Sequence, residues 1–486
     1  MTADSFRLSL ISHTNVGKTT LARTLLKRDV GEVRDGAHVT EVASRHTLIE
    51  TTAGDVLELW DTPGFGDSAR LLRRLRQHGN ALGWFVSQVW DRYTDRPFFS
   101  SQQAIRNVRE TADVVLYLVN ASEDPTGAGY VAAEMEILGW VGKPVLVLLN
   151  QLGPPLTSEF EAAQVARWSE HLAGCGFVHE VVAFDAFARC WVQEQTLLDR
   201  IGAALPAGRR AGFERIAAAW QARNAETFER SMRILAMHLA EAAADHADVA
   251  TRSLGESARA WLGGLASGEP RADPALDAAR TAMAERLDAS VQASTQELIT
   301  LHGLSGRAAG EITGRMGAEY AVDPAADVAK ASMIGAAVSG ALGGLAADLA
   351  AGGLTFGAGA LIGGLLGAAG MQGIARAYNL ARGTESTSMR WSAEFLAGRV
   401  TASVLRYLAV AHFGRGRGDF VQAEYPAHWR AVVERVVLTR RAGFDSAWAA
   451  AARGQPAPAL ETRLRDELRA TVGEVLRALY PQYGQG

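Results

Sequence analysis

The first 205 residues alternate between short apolar runs and longer amphipathic ones. Phe6–Ile11, Ala112–Asn120 and Pro144–Asn150 read as buried strands, and Val114–Val119 has no polar break. Unbroken runs of this kind suit strands covered on both faces. Asp55–Trp60 alternates polar and apolar residues, and His179–Phe184 is a further strand. Helical patterns fall between them at Lys18–Arg28, Tyr130–Trp140, Thr157–Leu172 and Arg189–Leu205. This rhythm predicts an α/β domain over residues 1–205, with a doubly wound, mainly parallel sheet. An insert at about 68–109 carries Trp84, Phe85, Trp90, Tyr93, Phe98 and Phe99 among many arginines. It reads either as an effector surface or as aromatic packing under a helix pair.

From Gly208 onward the strand pattern stops. Ile216–Trp220, Met232–Met237, Ala278–Leu301, Thr387–Val410 and Pro458–Leu479 are rich in alanine, the best helix former, with few prolines. An all-α second domain over 206–486 follows, without a fixed-period repeat.

Within it, residues 331–375 hold a single charge, Asp348, between Lys330 and Arg376. Two helix-length pieces, 331–350 and 356–375, flank a glycine-rich turn. Gly335, Ser339, Gly343 and Ala347 recur every fourth residue, as do Gly359, Gly363 and Gly367. Such a stripe lets two helices pack closely, the favoured mode in lipid. The segment predicts a helical hairpin, and three settings stay open: reversible membrane insertion, a two-span anchor, or a dry hairpin inside the helical domain.

The chemistry concentrates in Ser12-His13-Thr14-Asn15-Val16-Gly17-Lys18-Thr19-Thr20, between a strand and a helix. A loop of this form wraps phosphates in backbone N–H groups at a helix N-terminus. Lys18 would reach the β- and γ-phosphates, and Thr19 would ligate Mg²⁺. Asp61-Thr62-Pro63-Gly64 follows a second strand. Its carboxylate can hold Mg²⁺ through water, and Gly64 lets the backbone approach the γ-phosphate.

Together these motifs resemble the G domain of Era/TrmE-type, translation-factor-related GTPases, often labelled the 50S ribosome-binding GTPase family. The resemblance covers about residues 5–205 and implies a P-loop GTPase binding GTP or GDP with Mg²⁺. It implies a switch I threonine on the metal, with Thr40 the first candidate and Thr47 the second. A fourth motif, for the base, matches at Asn150, but Gln151 and Gly153 replace its lysine and carboxylate. GTP against ATP therefore stays open. A fifth motif would fall at Asp185 and Ala186. Phe65 stands where a water-orienting glutamine sits in Ras-like enzymes, which implies slow hydrolysis. Some GTPases of this type hold K⁺ through an asparagine at the place of Asn15. The catalytic set implied is Lys18, Asn15, Thr40 and Gly64. The layout also resembles bacterial GTPases fused to an uncharacterised helical domain with a glycine-rich hydrophobic segment.

Composition adds limits. The 486 residues are too many for one core. A net charge of −4 gives no overall drive toward nucleic acid, and the helical region shows no basic stripe. Two cysteines without metal-ligand spacing, and an N-terminus without a basic-then-apolar signal, lead us to expect a cytoplasmic protein. Its site of action would be the inner face of the cell membrane if the hairpin inserts. The leading expectation is a nucleotide-dependent switch coupled to a membrane, a protein partner or a second copy. The alternatives are a non-hydrolysing scaffold stabilised by nucleotide and a ribosome-assembly GTPase.

Overall fold

The computed structural model describes residues 3–27, 43–77, 96–152, 157–185, 191–249, 274–304, 378–382, 387–413 and 427–481. β1 (Ser5–Ser12) leads into α1 (Lys18–Leu26). β2 (Ser44–Glu50), β3 (Val56–Asp61), α2 (Ser68–Leu75), α3 (Arg96–Glu110) and β4 (Val114–Asn120) follow. Then come α4 (Gly129–Val141), β5 (Val145–Asn150), α5 (Ser158–Leu172), β6 (Val178–Ala183) and α6 (Trp191–Ala204).

The strands form one sheet in the order β2-β3-β1-β4-β5-β6. Neighbours are parallel except β2 and β3. The period-2 alternation of a strand divides the apolar side chains between two cores. Val115, Tyr117, Val119, Val147 and Leu149 face α3 and α4. Leu116, Leu118, Leu146 and Leu148 face the opposite side, with Leu21 and Leu25 of α1. β2 is absent from the strand expectations above because Ser44-Arg45-His46-Thr47 is polar, and Leu48 is its one fully buried apolar residue. Strand order reverses at the end of β1, which has β3 on one side and β4 on the other. That is where open α/β sheets place their ligands.

The second region begins with α7 (Ala207–Ala244), a helix of 38 residues. β7 (His246–Val249), α8 (Pro274–Leu301), β8 (Tyr378–Arg382), β9 (Thr387–Trp391) and α9 (Ala393–Ala411) come next. α10 (Ala427–Thr439), α11 (Arg441–Ala452) and α12 (Ala457–Leu479) complete it. The region is mainly helical, with one addition: an antiparallel sheet ordered β7-β9-β8. The stretch from Thr387 therefore starts as a strand. Met389 and Trp391 are buried there, an alternation too short to stand out beside the helix of 19 residues that follows. Ser392 separates the two by capping α9, its hydroxyl accepting from Phe395 N at 3.2 Å.

α7 joins both regions. Its Phe213, Ile216 and Trp220 belong to the core under the large sheet. Its Met232, Leu235 and Leu239 belong to the helical core. Arg215 grips Asp55 with two bonds, Nε to Oδ2 at 2.7 Å and Nη2 to Oδ1 at 2.8 Å. These bonds hold the Asp55 carboxyl well below the usual carboxylate range. Arg209 donates to Asp113 and to the carbonyl of Ser5.

In the insert, Phe98 is buried under Arg70 and Arg74, whose guanidinium carbons lie 4.6 and 5.3 Å from the ring centre. For Phe98 this is packing under a helix pair; Trp84, Phe85, Trp90 and Tyr93 lie outside the described residues. So does the apolar segment 331–375. Among the described residues no helix is long and apolar enough to cross a membrane.

Candidate nucleotide site

The loop after β1 turns tightly. Asn15 has φ 66° and Gly17 φ 98°, both left-handed. Gly17 caps α1, and a Cβ there would meet Asn150 Nδ2 at 2.7 Å. Glycine is required on both counts. Lys18 opens the helix and bends back, donating from Nζ to Ser12 Oγ at 2.9 Å. Its side chain is buried. Burial lowers its pKa, while Asp61 and Glu134 act to keep it charged. The α1 N-terminus and this ammonium therefore face one anion-binding turn.

Gly64 passes directly over Lys18. A Cβ on Gly64 would lie 3.0 Å from Lys18 Nζ and 3.2 Å from Thr14 Cα. The next residue, Phe65, bonds its N–H to Ser12 O at 2.9 Å. Its ring is fully buried with Ile11, Leu71 and Leu75. The phenyl group packs the core and takes no part in the turn.

Thr19, in the first turn of α1, and Asp61, at the end of β3, meet at 2.7 Å, hydroxyl to Oδ2. Asp61 is buried, which raises its pKa; the Thr19 bond and then Lys18 act in the opposite direction. Its other oxygen, Oδ1, is buried without a hydrogen-bond partner. A buried acceptor of this kind is costly unless something pairs with it. A hydrated divalent cation fits: hard cations take carboxylate, hydroxyl and phosphate oxygens and keep several waters. Thr19 and Asp61 would hold Mg²⁺. Among the described residues there is no cluster of three or more His, Cys, Asp or Glu able to hold a metal alone, so phosphate and water oxygens would complete the shell.

The base side of the site is partly built. Asn150 is buried at the end of β5 and donates to Val16 O at 2.6 Å. Gln151 follows in a left-handed conformation, φ 59°. Asp185 accepts from Leu152 N at 2.7 Å, so it ties the fourth-motif loop to the end of β6. Val16 and Thr20 are buried, with Thr20 O accepting from Thr24 inside α1.

Some expectations change or lie outside the described residues. Thr40, Gly153 and Ala186 are outside the described residues. Thr47 is exposed on β2, paired with Glu58, three residues along β3 from Asp61. At about 3.4 Å per residue it is some 10 Å from the metal ligands. His13, expected as a nucleotide contact, turns its ring to α4. Its Nδ1 lies 2.8 Å from Glu134 Oε1, and it stacks on Tyr130 with ring centres 4.4 Å apart.

Glu134 was not among the sequence candidates. It is fully buried, and it accepts from Ser68 Oγ at 2.5 Å and Tyr117 OH at 2.6 Å as well as from His13. A signal was present: Glu134 sits on the apolar face of its helix, between Val131, Met135 and Leu138.

The sheet, the Lys18 turn and the Thr19–Asp61 pair define a P-loop GTPase-type domain ahead of a mainly helical region. Residues 7–151 match the profile of the 50S ribosome-binding GTPase family. Residues 170–473, more than half of the chain, match the domain of unknown function DUF3482, and the chain belongs to that family. Among solved structures it is similar to Era in complex with MgGDPNP and a segment of 16S ribosomal RNA, at 18% identity and TM-score 0.31, over 42% of this chain and 58% of that one. A variant of Aquifex aeolicus Era bound to GDP and AlF4⁻ gives 18% identity and TM-score 0.31, over 42% and 57%. The chain thus spans less than two thirds of either structure. No curated protein matches.

Proposed function

We propose that this chain is a GTP-binding switch that hydrolyses GTP slowly and passes its nucleotide state to the helical region. One observation carries the reading: Thr19 and Asp61 meet beside the buried Lys18, leaving Asp61 Oδ1 unsatisfied. A triphosphate with Mg²⁺ supplies what these groups lack. Bound Mg²⁺ would neutralise charge on the phosphates. Lys18 and the α1 N-terminus would hold the phosphates, Gly64 would sense the terminal one, and Asn150 would fix the loop. Asn15, left-handed in the turn, is the residue for K⁺. Thr40 would be the switch I ligand, and the apolar segment 331–375 would be the part that meets a membrane. Slow turnover follows from Phe65, which has no group to orient water.

Titration calorimetry with GTP and ATP on wild type and Lys18→Ala tests the site. We expect Mg²⁺-dependent binding that Lys18→Ala abolishes. Binding unchanged by the substitution would overturn the assignment. Phosphate release measured in K⁺ and in Na⁺ tests the role of Asn15, and flotation with anionic vesicles tests the hairpin.

A further inference from the structure

Glu134 is a fully buried carboxylate that touches both the phosphate loop and the segment after Asp61. It projects from α4 between two elements. On one side is His13, the second residue of the loop; on the other is Ser68, the first residue of α2. Tyr117 of β4 donates to the remaining oxygen. His13 Nδ1 carries a proton toward the carboxylate, because a carboxylate only accepts. The backbone repeats the link, since Phe65 N bonds to Ser12 O and His13 pairs with Phe65 as an isolated parallel bridge. Tyr130, one turn before Glu134, covers the imidazole and is itself anchored to Glu123 by a 3.0 Å bond.

Apolar packing would serve this position equally well if only stability were at stake, because a buried charge is a poor way to gain it. A carboxylate with three donors does something packing cannot: it imposes direction. The hydroxyl of Ser68 is held only when α2 starts at one height above the loop. Glu134 also acts on Lys18 through its charge. We propose that Glu134 is a positioning residue, a clasp that fixes the start of α2 to the phosphate loop through Ser68 and His13, so that α2 and α4 respond together when nucleotide binds. The proposal rests on the nucleotide-site reading above.

The test uses the full-length chain with Ser68→Ala and Ser68→Thr. Asp67 remains the α2 cap in both, accepting from Arg70 N. Hydrogen exchange is followed over residues 65–76 and 129–141, with and without a non-hydrolysable GTP analogue. GTP affinity and kcat are measured alongside. In wild type and Ser68→Thr, the analogue should slow exchange in both segments. In Ser68→Ala the response at 129–141 should vanish. Its kcat should fall about 10-fold or more, the effect of one hydrogen bond to a charged group, while KM changes by less than about 3-fold. Equal responses and equal kcat in all three proteins would overturn the clasp. So would a lowered Tm in Ser68→Ala with exchange and kcat unchanged, since that is packing alone. Lys18→Ala separates the two ideas. If it leaves GTP binding intact, the nucleotide site itself is wrong; if GTP binds through Lys18 and Ser68→Ala behaves as wild type, only the clasp falls.

Discussion

Asn150 donates its side-chain amide to the carbonyl oxygen of Val16, 2.6 Å away. This bond joins the end of β5 to the middle of the phosphate loop, 134 residues earlier in the chain. Asn150 therefore acts on the loop's shape in addition to any contact with a base. Replacing it by alanine leaves a buried carbonyl unpaired, at about 1–3 kcal/mol. We expect GTP and GDP affinities to fall together, by roughly 5- to 100-fold. Calorimetry with both nucleotides checks this, and a loss confined to GTP would contradict it.

Substitution at Gly64 should separate the two nucleotide states more sharply. Its Cβ position is taken by Lys18 Nζ and Thr14 Cα. Lys18 is flexible and can yield, but the Thr14 backbone cannot. Gly64→Ala should therefore weaken triphosphate more than diphosphate, with about a 10-fold difference between them, or about 1.4 kcal/mol. Competition of fluorescent GDP against GTP reads this ratio directly.

Base selection should be weak. The fourth motif supplies Gly153 where a carboxylate would accept from guanine. Sites that reject an analogue strongly do so by leaving buried polar groups unpaired. We expect GTP to be preferred over ATP by about 100-fold or less, and Gly153→Asp to raise the preference by about 10-fold or more. Paired titrations with the two nucleotides measure it.

Acid should unfold the helical region early. Burial holds His302 at about 3 and His412 at about 4, and also lowers His238. The unfolded chain takes up protons at these histidines near pH 6.5, whereas the folded chain does not. Stability therefore falls as pH drops from about 6.5 toward 4, by about 1.4 kcal/mol per pH unit for each imidazole. Glu161, raised by burial to about 7, works in the other sense between about 4.5 and 7. Asp61 is raised as well, but both acids lie in the sheet domain, whereas the histidines lie in the helical region. Urea midpoints at pH 7 and 5.5 should show the loss, and His412→Gln should flatten it.

Trp220 tests the joint between the regions. It is buried and donates from Nε1 to Glu194 Oε2 at 2.8 Å. Trp220→Phe keeps most of the ring but removes a donor from a buried carboxylate, at about 1–3 kcal/mol. We expect a lower Tm with nucleotide affinity retained.

Much of the sheet domain is legible because its strands are covered on both faces. Val114–Val119 can hardly be anything else. β2 escapes because it is a polar edge strand whose place is fixed by pairing with the neighbouring β3 and not by an apolar pattern of its own. β7, β8 and β9 escape because each has only four or five residues, and β7 pairs with β9 across more than a hundred positions. In the site, Lys18, Thr19 and Asp61 are marked by local spacing, and the structure brings them together. His13 is marked equally well but faces elsewhere, since spacing does not give the direction of a side chain. Glu134 is hidden for the same reason. Its partners lie 121, 66 and 17 residues away, so only folding assembles them.

α7 has one more consequence. At 38 residues it is about 57 Å long, and both of its ends are embedded in cores. No slack linker absorbs motion between them. A rotation of about 5° where Arg215 meets Asp55 would sweep the distal end, about 44 Å away, through about 4 Å, roughly three quarters of a helical pitch. The helix is thus an angular amplifier: small adjustments beside the sheet become large excursions at its far tip.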